Sequence, residues 1–191
     1  MSPLVTSPIP YPYLSSPHPT VLSYQTHDTI SISIGTVFLW FGWLGFNGGS
    51  AKGVNLRAVM AVVVSNLAAA MGGLTWLIMD YIQLERRWGA IGWCSGAVSG
   101  LVAITPASGF VPPWAAVIIG CVGSACCNHA TRLKYYLNVD DQLDVFAIHC
   151  VGGVIGNLLT YVLAVLLMKG CICCELHCSV GWCDEDSRGM D

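Results

Sequence analysis

Four long stretches of this chain beyond residue 28 contain no aspartate, glutamate, lysine or arginine, and no other feature narrows its possible folds so far. They run from Thr29 to Ala51, from Ala58 to Met79, from Trp88 to Thr131 and from Val145 to Met168. A helix rises about 1.5 Å per residue and a bilayer's hydrocarbon core is about 30 Å thick, so roughly 20 apolar residues make one crossing. Three stretches fit one crossing each. The stretch 88–131 fits two, because Thr105-Pro106-Ala107-Ser108-Gly109-Phe110-Val111-Pro112-Pro113 ends one helix and starts another. The expected fold is therefore all-α, a polytopic membrane helix bundle of about five transmembrane helices, with spans near 30–50, 58–79, 89–105, 113–130 and 145–168. Composition agrees, since 54% of residues are hydrophobic and only 10% charged, where a soluble domain carries about a quarter charged residues.

The charges left between the spans orient them. Arg86 and Arg87 lie between the second and third spans and Arg132 and Lys134 between the fourth and fifth, against Lys52 and Arg57 between the first and second. Positive loops are retained in the cytoplasm, which places the former two loops inside. Asp80, Glu85, Asp140 and Asp141 are expected to be solvated loop charges. With a net charge of -3 and no basic stripe, nucleic-acid binding has no support. Residues 1–28 carry Pro3, Pro8, Pro10, Pro12, Pro17 and Pro19, lack the pattern of a secretory signal, and are expected to be a disordered arm. Small residues recur at four-residue spacing as Gly45 and Gly49, as Gly92, Gly96 and Gly100, and as Gly152 and Gly156, which predicts close helix packing. Cys94, Cys121, Cys126, Cys127 and Cys150 fall inside apolar segments and read as small buried hydrophobes.

Polar groups inside the spans are costly and therefore informative. His149 lies more than a turn into the last span, where an imidazole serves either a pathway or a structural hydrogen bond between helices. His129, beside Arg132, is expected at the membrane interface. In the run Trp40-Phe41-Gly42-Trp43-Leu44-Gly45-Phe46-Asn47-Gly48-Gly49-Ser50, residues Trp43, Phe46 and Ser50 share one helix face. That face is either a cation-receiving surface of rings and a hydroxyl or an interfacial aromatic belt. Thr75, Trp76 and Ser95 are expected to bond and pack between helices.

These motifs resemble ammonium transporters of the Amt, Mep and Rhesus family, fungal members most closely. The resemblance is carried by Gly35-Thr36-Val37-Phe38-Leu39-Trp40 through Ser50-Ala51, by Gly72-Gly73-Leu74-Thr75-Trp76 and by Cys94-Ser95-Gly96-Ala97. It continues through Gly100 to Pro113 and from Val139-Asp140-Asp141 to His149, covering residues 29–160. It implies a trimeric bundle of eleven spans in the plasma membrane, built from two inverted five-helix repeats, with this chain resembling the second repeat. By motif, His149 matches the second of two paired pore histidines and Trp43 a tryptophan beside them. Phe46 matches one of two stacked rings at the outer mouth and Ser50 a hydroxyl of the recruitment site, while Ser95 and Thr105 lie in motifs of the third span of the repeat. The implied substrate is ammonium or ammonia, with no enzyme activity, cofactor or metal.

The sequence also departs from that family. The first repeat is missing, and after Thr160 the family's glycine and eleventh span give way to other sequence. Ammonium transport by a truncated form lacking half of the pore is one expectation. The alternative is a non-conducting membrane protein that associates with full-length transporter subunits and regulates them. Residues 169–191 form a divergent tail in which Cys171, Cys173, Cys174, His177, Cys178 and Cys183 have incomplete zinc spacing. A changed reading frame or unspliced coding sequence accounts for that tail most simply; zinc binding and palmitoylation are the other readings.

Overall fold

A computed structural model of the chain describes residues 28–83, 88–132 and 144–169. The proline-rich arm up to residue 27, Glu85, Arg86, Arg87, Lys134, Asp140, Asp141 and the cysteine-rich tail lie outside the described residues. Five helices form. α1 spans Thr29–Gly49, α2 Leu56–Gln83, and α3 Ala90–Ile104, which tightens into a 3-10 turn over Thr105–Ala107 where Pro106 stops it. Pro112 and Pro113 pre-set the backbone for α4, Pro113–Ala130. A π-helical turn over Phe146–Val151 leads into α5, Gly152–Lys169.

Asp28 starts α1. Its carboxylate accepts the Ile30 amide at 2.9 Å and the Ser31 hydroxyl at 2.7 Å, satisfying donors that the first helical turn leaves open. The Ser31 hydroxyl, and after it the Ile30 amide, hold the Asp28 carboxyl below the usual carboxylate range. A depressed folded value means that the cap's contribution is complete above the ordinary carboxylate range and is lost as pH falls through the depressed value. Amide hydrogen exchange at Ile30 and Ser31 is expected to quicken in Asp28→Ala at neutral pH, and in the unaltered chain only once that acid range is reached.

α2 is the centre of the bundle, packed against α1, α3 and α4, and α5 lies across α3 and α4. The main core joins Val64 and Ala68 of α2 with Ala103 and Ile104 of α3, Ala115, Ala116 and Ile119 of α4, and Leu163 of α5. Glycine makes the α2–α3 seam possible. A Cβ on Gly96 would stand 2.5 Å from the Trp76 Cβ and 2.6 Å from the Gly72 carbonyl oxygen. Gly156 lies as close to α3, where a Cβ would meet the Ala103 Cα at 2.9 Å. Two of the expected packing glycines behave differently: a Cβ on Gly45 or Gly49 would meet nothing within 4 Å, so these face away from the bundle.

Among the described residues, four helical stretches are long and apolar enough to cross a membrane: Thr29–Gly49, Leu56–Gln83, Ala90–Ala107 and Phe146–Leu166. α4 is the fifth helix of the expected five and buries two polar residues, Ser124 donating to the Gly72 carbonyl at 2.7 Å and Asn128 turned towards α2. α2 outruns its charge-free stretch at both ends. Arg57 belongs to its first turn and stacks on the Phe110 ring, 3.7 Å from the ring centre, beside Gly109, whose φ of 78° turns the loop.

Asp80 is a correction. It lies within α2 rather than in a loop, half-buried, and accepts the Asn128 side-chain amide at 3.2 Å. Gln83 donates to the Asn128 oxygen at 3.3 Å and accepts from Arg132, so the acid is built into a network joining α2 and α4. Thr75 also differs from expectation, donating within its own helix to the Met71 carbonyl at 2.8 Å, whereas Trp76 is buried between helices as expected.

Candidate functional site

Three of the sequence-selected residues meet at one end of α3. Trp43 comes from α1, Thr105 from the 3-10 turn after α3, and His149 from the π-turn before α5. The Trp43 indole donates to the Thr105 hydroxyl at 2.8 Å, and that hydroxyl donates in turn to the Leu101 carbonyl at 2.7 Å, which orients its lone pair towards the indole. Trp43 and His149 lie nearly parallel, at 17°, with ring centres 6.3 Å apart, within the range of offset stacking. Beneath them Trp76, Val102, Cys127 and Ile148 form a buried cluster against which Trp43 packs. The floor of the site is therefore dry. Its upper side is open, with His149 exposed and Trp43 and Thr105 half-buried.

The other selected residues are placed further out. Phe46 is 65% exposed and lines, with Gly35, Phe38, Leu39, Gly42 and Trp43, an open apolar groove of about 520 Å³ along α1. Ser50 caps α1 and donates to the Asn47 carbonyl at 2.7 Å, leaving its oxygen lone pairs on the exposed end of the helix. Ser95, half-buried, stands ten residues before Thr105 on α3 and so about 15 Å away along the axis. It is not part of the Trp43–Thr105–His149 group. His129 is exposed in the last turn of α4.

Asn47 was not selected from sequence, although it sits inside the aromatic motif. It is 1% exposed and donates to the Ser65 hydroxyl at 2.7 Å, while Ser65 donates to the Ala61 carbonyl. A buried amide that loses its partner is costly, so this pair fixes the rotation of α1 and with it the direction of Trp43 and Phe46. A polar residue one position from Phe46 in an apolar helix was the available signal. A second link, from the Trp40 indole to the Asn66 oxygen at 3.1 Å, acts on the adjoining face, where Trp40 also approaches Trp93. Among the described residues no group of three or more His, Cys, Asp or Glu side chains is arranged to hold a metal ion.

The Trp43–Thr105 bond is expected to show a coupling of about 0.5–1.5 kcal/mol in a double-mutant cycle of Trp43→Phe and Thr105→Val, read from unfolding in detergent micelles. Additive losses would mean that the bond holds nothing.

Comparison with known proteins gives a consistent result. A family model, that of the Ammonium Transporter Family, matches residues 15–184. The chain is 57% identical over 141 residues to Ammonium transporter 1 of Schizosaccharomyces pombe, which covers 74% of this chain and 28% of that protein. It is 54% identical over 141 residues to Ammonium transporter MEP2 of Saccharomyces cerevisiae, again with 74% of this chain and 28% of the relative covered. Its fold superposes on the crystal structure of Saccharomyces cerevisiae Mep2 with a TM-score of 0.69 and 55% identity, covering 72% of this chain and 30% of the other. For Candida albicans Mep2 the TM-score is 0.70 and the identity 48%, over 76% and 31% of the two chains. The chain thus spans under a third of the length of these relatives.

Proposed function

The chain belongs to the ammonium transporter family, and on that premise we propose that residues 29–168 form one half of an ammonium-conducting pore. The observation that carries this reading is the Trp43 indole, tied to Thr105 at one edge and lying parallel to the His149 imidazole. In this reading an ammonium ion first meets the Phe46 ring and the Ser50 oxygen, a ring–cation contact worth about 0.5–2 kcal/mol. A hydrated cation cannot cheaply enter a space enclosed above the dry floor of Trp76, Val102, Cys127 and Ile148, so it hands its proton to water at the open mouth beside Phe46 and Ser50 before it enters. Neutral ammonia then passes Trp43 and reaches His149, whose imidazole offers both a donor and an acceptor along an otherwise apolar path. The His149 and Phe46 faces are open in this chain, and the reading has a second half cover them. Assembly as a trimer in the plasma membrane, with the Arg132 end of α4 in the cytoplasm, completes the proposal.

The test is growth of a yeast strain without ammonium transporters on low ammonium. Expressed alone, this chain is expected to give no growth. Expressed beside a second polypeptide carrying the part of a relative that it does not match, it is expected to restore growth. Failure of that pair, with both polypeptides present at the plasma membrane, would count against a half-pore.

α1 supports a second reading, because it buries only Thr36 and Asn47 and leaves Phe38, Phe41 and Phe46 outward. Such a face suits association with full-length transporter subunits, which this chain would regulate without conducting. Slower ammonium-limited growth, seen only in cells that retain an intact transporter, is the result this reading expects.

A further inference from the structure

The turn that carries His149 departs from α-helical bonding. Over Phe146–Val151 the backbone is π-helical, and the Gly152 amide donates to the His149 carbonyl rather than to that of Ile148, its usual partner four residues back. The Ile148 carbonyl is approached from another helix, with the Cys127 sulfur of α4 lying 3.9 Å from it as a thiol donor. Cys127 is 0% exposed and Ile148 6%, so water does not compete for this carbonyl. The same sulfur also bounds the next turn: a Cβ on Gly152 would come within 3.1 Å of it and within 3.4 Å of the Val102 Cγ1. One atom therefore touches the chain immediately before His149 and again three residues after it.

We propose that Cys127 is the positioning residue for His149, holding the π-turn open by its volume and by thiol donation to the Ile148 carbonyl. Relaxation of the turn to ordinary α-helical bonding would shift the chain by one residue. On a helix of about 3.6 residues per turn that rotates a side chain by roughly 100°, which carries the imidazole off the Trp43 ring. The thiol is a weak donor, and it meets a carbonyl buried among apolar side chains. The proposal rests on the pore reading only for the importance it gives to His149; the geometry it concerns is independent of conduction.

The experiment is nitrogen NMR of the full chain in detergent micelles, labelled at histidine, without ammonium. Loss of one signal in His149→Asn assigns the resonance. In Cys127→Ala the His149 ring signals are expected to shift and broaden while those of the other histidines stay in place, and Cys127→Ser, which keeps a donor, is expected to restore them. Cys121→Ala, on the same helix, should leave them unmoved. An unchanged His149 signal in Cys127→Ala, or a shift in Cys127→Ser as large as in Cys127→Ala, would overturn the proposal. If the alanine variant does not run as a folded species on size exclusion, Cys127→Val, which keeps the site filled but has no donor, against Cys127→Ser poses the same question. Since no transport is measured, a chain that does not conduct still reports on Cys127, and loss of the half-pore reading would leave this result standing.

Discussion

Leucine at Gly96 is expected to leave almost no folded bundle in detergent. The first added carbon alone would stand 2.5 Å from the Trp76 Cβ and 2.6 Å from the Gly72 carbonyl oxygen, and neither neighbour is the free end of a flexible side chain. Overpacking a core typically costs about 1–3 kcal/mol when side chains can shift. Here the backbone of α2 must move, and α2 is the helix on which α1, α3 and α4 all pack. Folded domains have only about 5–15 kcal/mol in hand, so the loss falls on the whole structure rather than on one seam. Gly42→Leu is the matching control, because a Cβ there meets nothing within 4 Å. Leaving glycine in a helix interior gains up to about 1 kcal/mol, so this variant should fold as well as the unaltered chain or slightly better. Size-exclusion profiles and thermal melts of the two variants decide the matter, and equal behaviour would show that the seam is not close-packed in solution.

Gly96 and Gly45 together mark where sequence stops being sufficient. Charge-free length, with the proline run that divides residues 88–131, located five helices to within a few residues, because the cost of a charge in hydrocarbon depends on composition and on nothing distant. Spacing identified Gly96 and Gly45 alike as candidates for close packing, but only the bundle decides which face of a helix is covered; Gly96 meets α2 and Gly45 meets nothing. Charge as a boundary marker failed at α2 for a related reason. Arg57 and Asp80 both lie inside the helix since Phe110 and Asn128, more than 45 residues away in sequence, receive them.

The site was legible to a similar depth. Trp43, Thr105 and His149 were each marked by sequence, and the structure brings these three together; Ser95 was marked with them, but ten residues along α3 place it about 15 Å from Thr105. Nothing local announces the π-turn at His149. Its backbone meets Cys127 of α4, and a cysteine in an apolar run reads as a small hydrophobe until its distance to Ile148 is known.

His149→Leu is expected to abolish growth in the two-polypeptide assay, while Phe46→Ala is expected to weaken it. The difference follows from where each side chain acts. Leucine fills the space of an imidazole but can neither donate nor accept, so ammonia reaching the floor formed by Trp76, Val102, Cys127 and Ile148 loses its hydrogen bonds. An unpaired polar group in such surroundings costs about 2–7 kcal/mol, and each 1.36 kcal/mol added to a barrier slows passage about tenfold. Phe46 is 65% exposed at the end of the groove and contributes a ring–cation contact of about 0.5–2 kcal/mol. Its loss changes the ammonium concentration required, by a factor of at most about thirty, and leaves the path beyond it intact. Raising external ammonium should therefore rescue Phe46→Ala and not His149→Leu. Rescue of both, with equal amounts of protein at the membrane, would place the barrier to passage somewhere other than at the imidazole.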